Sequence, residues 1–129
     1  MIPIQINSDD APAAVGPYSQ SIKCDNYIFA SGQLPLHPES GQIVSGGFKS
    51  QTNHALYNLE KVLIASGSSL DYVVKTTVYL TNMDNYSEFN ELYTKCFGKS
   101  KPARTCIEVN RLPKNVLIEI DAIAVAPDK

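Results

Sequence analysis

The chain has 129 residues, a formal net charge of −2 and three cysteines. This length suits one domain over residues 1–129, whose core needs neither a metal nor a disulfide to hold it together. Acidic and basic residues are spread along the chain, so no basic tract can neutralise phosphates and no cationic amphipathic segment can hold a bilayer. The composition therefore argues against a nucleic acid or a membrane as partner.

The cysteines and the amino-terminal stretch indicate the compartment. Cys24, Cys96 and Cys106 cannot all pair with one another and form no Cys-x-x-Cys, which indicates free thiols in a reducing environment. The first ten residues, MIPIQINSDD, lack the basic and apolar regions of a signal peptide. We expect a cytoplasmic protein, although a relative imported into an organelle would look similar after processing.

The amino-terminal third predicts short strands and loops. Isoleucines alternate with other residues over 2–6, which predicts a strand that its proline restricts to a sheet edge. A loop rich in proline and glycine follows over 9–17. Residues 18–23 and 27–31 form a predicted strand pair, joined by a tight turn at Asp-Asn, and 36–47 is rich in turn residues.

The middle of the chain predicts two helices around a strand. From Phe48 the apolar period is helical, and Gly67 is a good stop. Residues 72–81 are dense in β-branched and aromatic side chains and predict the strongest strand. A polar segment, 82–85, precedes a second helix that ends near Gly98. One side of that helix is lined by Phe89, Leu92, Tyr93 and Cys96.

Residues 101–123 predict two further strands. Two apolar runs are separated by a polar segment with Pro113 and Asn115, and charges fall at alternate positions inside both runs. The apolar face of the second strand consists of Ile118, Ile120, Ala122 and Ala124. We expect the opposite sheet face to carry Arg104 and Cys106 from the first strand together with Glu119 from the second.

The order of elements predicts the sheet. Strands near Ile28, Val78 and Thr105 should run parallel, with both helices on one face, and the last strand should run antiparallel to them. Besides its charges, the uncovered face would carry Val73, Thr77, Leu117, Ile123 and Val125. Such a face carries too many apolar side chains to stay exposed to solvent and too many charges to be an ordinary core. We therefore expect self-association, with the polar groups in clefts between subunits.

Two charged residues suggest a ligand site, and each has a plainer explanation. Arg104 is flanked by small, weakly polar residues, a setting in which a planar cation suits a carboxylate ligand. Glu119 lies in mid-strand among apolar neighbours, where burial is costly unless it is paired, and Arg104 is the candidate partner. A solvated face with an ordinary ion pair would produce the same pattern.

Other reactive side chains also have ordinary explanations. No histidine pattern supports Cys106 as a nucleophile, which favours a small wall residue. His37 in a turn and His54 on a helix show no ligand spacing, so we expect no metal site. Tyr18 could equally well pack beneath the neighbouring loop as contribute to a site. Ser31 could equally well be an ordinary turn residue.

Six segments of the chain carry a resemblance to a known family. They are APAAVGPYSQ at 11–20, FASGQLP at 29–35, VVKTTVYL at 73–80, FNELY at 89–93, KPARTCIEV at 101–109 and LPKNVLIEIDAIA at 112–124. In this order they resemble the RidA (YjgF/YER057c/UK114) family of enamine/imine deaminases. The resemblance covers nearly the whole chain, and KPARTCIEV together with IEIDAIA is specific.

The resemblance implies an α/β (α+β), chorismate-mutase-like fold, with a mixed sheet, two helices on one face and assembly as a homotrimer. The last strand would insert between the strands near Ile28 and Val78, so Arg104 and Glu119 would not be cross-strand partners. The implied activity is hydrolysis of 2-enamine or 2-imino acids, such as 2-aminoacrylate, to 2-keto acids and ammonia. No metal or organic cofactor is implied, because an imine already hydrolyses in water.

The resemblance also implies the catalytic residues. Arg104 would hold the substrate carboxylate through two parallel hydrogen bonds. Glu119 would hold or activate a water near the imine carbon, a role that needs a pKa suited to proton exchange near neutrality. Tyr18 would line the cleft and steer water or donate a proton.

Further positions are implied as substrate-binding. Ser31 would line the cleft beside Tyr18, and Gly32 would permit close approach of the backbone. Backbone groups around Cys106 would bind the carboxylate, and Asn90 completes the set. These residues would lie in clefts between subunits.

Alternative functions remain open from the sequence. The same clefts suit a regulatory trimer that binds small carboxylates such as 2-keto acids without turnover. An RNA-directed translation inhibitor or endoribonuclease is opposed by the acidic balance and by the lack of clusters of basic and aromatic residues. Chorismate mutase activity would rest on likeness of fold alone.

Overall fold

A computed structural model describes residues 2–127 of the chain. It contains a six-stranded sheet and two α-helices. The strands are β1 (Ile4–Ile6), β2 (Ser21–Cys24), β3 (Tyr27–Gln33), β4 (Val73–Leu80), β5 (Ala103–Glu108) and β6 (Ile118–Val125), and the helices are α1 (Gly47–Ala65) and α2 (Tyr86–Phe97). Across the sheet the strand order is β1-β2-β3-β6-β4-β5.

The sheet is mixed, and its last strand is central. Strand β6 lies between β3 and β4 and runs antiparallel to both, whereas β4 and β5 are parallel. Strands β3, β4 and β5 therefore share one direction, as predicted, and β1 lies at an edge. The predicted α+β fold, with a mixed sheet and two helices on one face, is confirmed.

Both helices pack on the same face of the sheet because each has one apolar side. The core includes Leu59, Val62 and Leu63 from α1, Phe89 and Phe97 from α2, and Val78, Leu80, Ile118 and Ile120 from the sheet. Helix α1 ends at Ala65 as the stop signal predicts. Gly67 is left-handed at φ +86°, and the N–H of Ser68 donates to the carbonyl of Leu63 at 2.9 Å.

Strand β3 is longer than the sequence indicates. Ala30 is paired with Ala122 and Gln33 with Ile120, so β3 contains one more residue than β6 between these two pairs. The resulting β-bulge at residues 31–32 continues β3 to Gln33, whereas the sequence pattern indicated that it ends at residue 31. Strand β2 begins at Ser21, three residues later than predicted.

The predicted sharing of one sheet face by Arg104, Cys106 and Glu119 is wrong. Arg104 is paired with Thr76, which is buried on the helix side, and Cys106 lies two residues further along on that side and packs against the core. Glu119 is paired with Tyr79, on the side of the sheet that neither helix covers, which we call the open face. Alternation predicts which residues of one strand share a side of the sheet. The pairing register between strands decides which residues of different strands lie on the same side.

The open face also lacks Val73, which was predicted there. Val73 is buried in the core because a register irregularity between it and Lys75 shifts the alternation at the start of β4. Thr77, Ile123 and Val125 lie on the open face, as predicted.

Among the residues that the structure describes, no helix combines the length and the apolar character needed to cross a bilayer.

Candidate active site

A cavity of about 740 Å³ contains Glu119 and three other predicted site residues, Tyr18, Ser31 and Gly32. The remaining wall comes from two loops and the segment before β6. It is mostly apolar and consists of Pro12, Ala13, Val15, Leu34, Leu36, Pro38, Glu39, Ser40, Gly41, Pro113 and Lys114. The sequence prediction that these four residues share a cleft is consistent with this placement, and we call them the glutamate group.

Gly32 allows the carboxyl group of Glu119 to lie against the bulge in β3. A Cβ atom at Gly32 would lie 2.7 Å from Cδ of Glu119 and closer still to Oε2, which is not possible for real atoms. The bulge supplies the backbone shape, and glycine supplies the space. Every other amino acid at this position would displace the carboxyl group.

The electrostatic environment of Glu119 makes its carboxyl group harder to ionise than an exposed one. Burial, and secondly the nearby charge of Asp121, raises the pKa of the Glu119 carboxyl above its ordinary value. Asp121 accepts a hydrogen bond of 3.0 Å from the hydroxyl of Tyr79, whose own pKa is raised by burial and by this carboxylate. A glutamate with a raised pKa suits proton exchange closer to neutrality.

Ser31 and Tyr18 differ in the hydrogen bonds that their hydroxyl groups can offer to a ligand. The Ser31 hydroxyl donates to the carbonyl of Ser19 at 2.6 Å, so its oxygen can accept a further hydrogen bond but its proton is engaged. Tyr18 is 53% exposed, and its backbone N–H donates to Gly16 at 2.9 Å. Tyr18 is therefore the better placed of the two to donate a proton to a ligand.

Gln20 supports one wall of the cavity, and the sequence analysis missed it. Its Nε2 donates to the carbonyls of Ser8, Ala11 and Pro12 at 3.0, 3.3 and 2.8 Å. It is 3% exposed, and it fixes the loop that carries Pro12 into the cavity. No periodicity marks such a residue, because its partners are backbone atoms of a loop.

Arg104 lies on the other face of the sheet, against aromatic rings of α2. Its guanidinium carbon is 4.8, 5.4 and 5.6 Å from the ring centres of Tyr93, Phe89 and Tyr86. Its Nη2 donates a hydrogen bond of 2.9 Å to the Tyr86 hydroxyl. These contacts stabilise the cation without neutralising it, so it remains available to an anionic ligand.

Asn90 and Cys106 lie near Arg104. Asn90 is one helical turn after Tyr86 on α2, and Cys106 follows Arg104 by two residues on the same face of β5. Burial raises the pKa of the Cys106 thiol, and the charge of Arg104 opposes this only in part. A protonated thiol is a poor nucleophile, which supports a wall role for Cys106.

The predicted site residues therefore form two groups in one chain. The glutamate group lines the cavity, with Glu119 on the open face, whereas Asn90, Arg104 and Cys106, which we call the arginine group, lie on the helix side of the sheet. The suggested pairing of Glu119 with Arg104 is not made within the chain. The sequence signal for the aromatic partners of Arg104 is their spacing of three and four residues along α2.

The two histidines are neighbours in space, although the sequence shows no spacing between them. Their ring centres are 5.4 Å apart, and burial together with His37 lowers the pKa of His54. Within residues 2–127, no group of three or more His, Cys, Asp and Glu side chains is placed to hold a metal ion.

Comparison with known proteins identifies the family. Residues 8–126 match the sequence profile of a family described as Endoribonuclease L-PSP. The chain belongs to this family. It is the RidA family that the six sequence segments resemble, so that prediction is confirmed.

Relatives within the L-PSP family match nearly the whole chain. A RutC family protein of Pyrococcus horikoshii is 51% identical over 119 residues, which are 92% of this chain and 94% of that protein. The 2-iminobutanoate/2-iminopropanoate deaminase of Mus musculus is 46% identical over 120 residues, 93% of this chain and 89% of the mouse protein. A crystal structure of E. coli TdcF with bound serine has a TM-score of 0.89 at 35% identity, covering 96% of this chain and 99% of that one.

Proposed function

We propose that this protein is an enamine/imine deaminase that hydrolyses reactive 2-enamine or 2-imino acids, such as 2-aminoacrylate, to 2-keto acids and ammonia. The observation that carries the proposal is the carboxyl group of Glu119, which lies in a mostly apolar cavity with a raised pKa and against a glycine. A 46% identical mouse relative named as a deaminase supports the same reaction.

We also propose that the site is completed by a second copy of the chain, in a homotrimer with three clefts. Lys114, the cation on the wall of the cavity, donates to the carbonyl of Gly41 at 2.7 Å, and the sheet separates Arg104 from the glutamate group within one chain. The open face of the sheet carries exposed apolar side chains, including Tyr27 and Phe29, that a neighbouring subunit would cover. In the cleft, the arginine group of one subunit faces the glutamate group of the next.

The proposed chemistry uses both groups. The guanidinium of Arg104 holds the substrate carboxylate, which positions the C=N bond beside Glu119. The Glu119 carboxylate accepts a proton from water as the water oxygen bonds to the imine carbon, and it returns that proton to the nitrogen. As the carbinolamine collapses, its hydroxyl proton passes to the amino nitrogen while the C–N bond breaks, which releases ammonia and leaves the 2-keto acid. An enamine such as 2-aminoacrylate enters this sequence as its imine tautomer, after a proton has moved from nitrogen to the terminal carbon.

The direct test couples the protein to a pyridoxal-phosphate dehydratase that generates 2-aminoacrylate. We expect faster release of pyruvate than by spontaneous hydrolysis. An unchanged rate at high concentrations of this protein would remove the deaminase assignment. Glu119→Gln provides the matched control, since it keeps the size of the side chain but cannot accept the proton.

Mixing two impaired variants tests the shared cleft. Glu119→Gln and Arg104→Ala each spoil one group, so each assembly alone should keep only a small residual activity. After co-refolding in equal amounts, about one cleft in four combines an intact glutamate group with an intact arginine group, whatever the number of subunits in the ring. Recovery of about a quarter of the activity is expected. No recovery would place both groups in one chain and contradict the proposal.

A binding or regulatory role without turnover is the second candidate. The bound serine of the TdcF structure favours it, because serine carries the carboxylate that both proposals require. Calorimetry would then show 2-keto acids binding to the wild type and not to Arg104→Ala, while imine decay stays at its background rate.

A further inference from the structure

We propose that Tyr86 is a positioning residue, which sets the orientation of the Arg104 guanidinium and thereby the affinity of the site for a carboxylate. This inference rests on the proposed function, in which Arg104 holds the carboxylate of the substrate. It adds a residue outside the seven that the resemblance assigns. The phenol hydroxyl acts through Arg104 and does not touch the substrate.

The contacts of Arg104 show why its orientation depends on Tyr86. Three rings within 5.6 Å of its central carbon confine the guanidinium, but ring faces attract a cation without fixing its rotation. The hydrogen bond of 2.9 Å from Nη2 to the Tyr86 hydroxyl is directional and fixes that rotation. A guanidinium has five N–H donors, so four remain, which is enough for two parallel bonds to a carboxylate.

The backbone around Tyr86 is tied to the strand that carries Arg104. Tyr86 is the first residue of α2 and follows a 3₁₀ turn, Met83–Asn85. The N–H of Met83 donates to Oε1 of Glu108 at 2.8 Å, and Glu108 lies on β5 four residues after Arg104, on the same face. Strand β5 therefore holds both the cation and the start of the helix that orients it.

Tyr86 is the aromatic neighbour that has no part in the core. Phe89 is fully buried, and Tyr93 is 8% exposed with its hydroxyl 2.7 Å from Oγ1 of Thr76. Tyr86 is 38% exposed, and its hydroxyl bonds to Arg104. Removing that hydroxyl should therefore change the guanidinium without disturbing the packing of α2.

The experiment uses Tyr86→Phe, which keeps the ring and removes the hydrogen bond. We expect KM for the imino acid, and Kd for pyruvate measured by calorimetry, to rise about five- to tenfold, with kcat within about twofold of wild type. The matched control is Tyr57→Phe, on the outer side of α1, where the ring lies 5.0 Å from Nζ of Lys61. This control should match the wild type.

A double-mutant cycle separates positioning from a structural effect. Lysine at position 104 is a compact charge without a planar fork, so Arg104→Lys should bind pyruvate weakly, with a Kd that calorimetry measures only at millimolar pyruvate. In that background Tyr86→Phe should change Kd for pyruvate less than about twofold. Unchanged affinity in Tyr86→Phe alone, or the same loss in both backgrounds, would overturn the proposal. If the wild type binds pyruvate without hydrolysing the imine, the deaminase assignment fails, while the calorimetric cycle still decides the role of Tyr86.

Discussion

Replacing Gly32 with alanine should reduce activity strongly while leaving the fold almost unchanged. The new Cβ would lie 2.7 Å from Cδ of Glu119, whereas ordinary contact begins at 3.4 Å, so Cδ must retreat by about 0.7 Å and the nearer Oε2 by more. A displacement of about 1 Å in a reacting group typically lowers the rate by about a hundredfold. We therefore expect kcat of Gly32→Ala to fall by about that factor.

The stability of this variant should change little. The atoms that meet the new Cβ belong to the far end of a flexible side chain, which can rotate away. The backbone at Gly32 lies outside the left-handed region, so alanine adds no strain there. We expect less than about 1 kcal/mol of lost stability, measured by urea unfolding.

The assay follows pyruvate release from 2-aminoacrylate, and its control is a double variant. In a Glu119→Gln background, Gly32→Ala should produce no further loss of kcat, because both changes act on the same carboxylate. Refutation would come from a Gly32→Ala enzyme that keeps more than half of the wild-type rate. An independent loss in the double variant would also show that Gly32 acts on something other than Glu119.

Four further predictions concern the two groups and the cavity wall. Arg104→Lys should lose nearly as much kcat/KM as Arg104→Ala, since a point charge cannot form the two parallel bonds to a carboxylate; a lysine variant close to wild type would contradict this. In the pH profile of kcat/KM, the midpoint of the fall at low pH, which we call the acid limb, should lie above the ordinary pKa of a glutamate. Glu119 must be ionised to activate water, and its pKa is raised. Asp121→Asn removes one cause of that raised pKa, so the limb should move to lower pH, and a move upward would show that the sign is wrong. Asn58 on α1 is fully buried and donates to the carbonyls of Leu34 and Leu36, on the cavity wall, at 2.9 and 3.0 Å. Asn58→Ala should therefore lower the free energy of unfolding, measured by urea titration, by about 2 kcal/mol. The control is Asn53→Ala, an exposed position on the same helix, which should change that free energy by less than about 0.5 kcal/mol.

The site was only partly predictable from the sequence. The resemblance brought Tyr18, Ser31, Gly32 and Glu119 together as cleft residues, and the structure places all four on one cavity. Alternation along the last strand predicts that Asp121 shares a face with Glu119, and the structure agrees, but the sequence analysis did not predict its effect on the pKa of Glu119.

Local patterns were sufficient for the elements themselves. The helical period and the terminal glycine predicted α1, and the dense β-branched run predicted β4, because both signals depend on neighbours within a few residues. The direction of the strands also followed, since a strand joined to the next by a helix must cross over the sheet.

Only the tertiary structure decided which faces coincide. Alternation along β5 and β6 is a local property, but the register that puts Arg104 beside Thr76 and Glu119 beside Tyr79 is made by hydrogen bonds between distant segments. The bulge that brings Gly32 under the Glu119 carboxyl has the same origin. The sequence by itself therefore determined the elements and their order, while pairing between strands placed the two charged groups on opposite sides of one sheet.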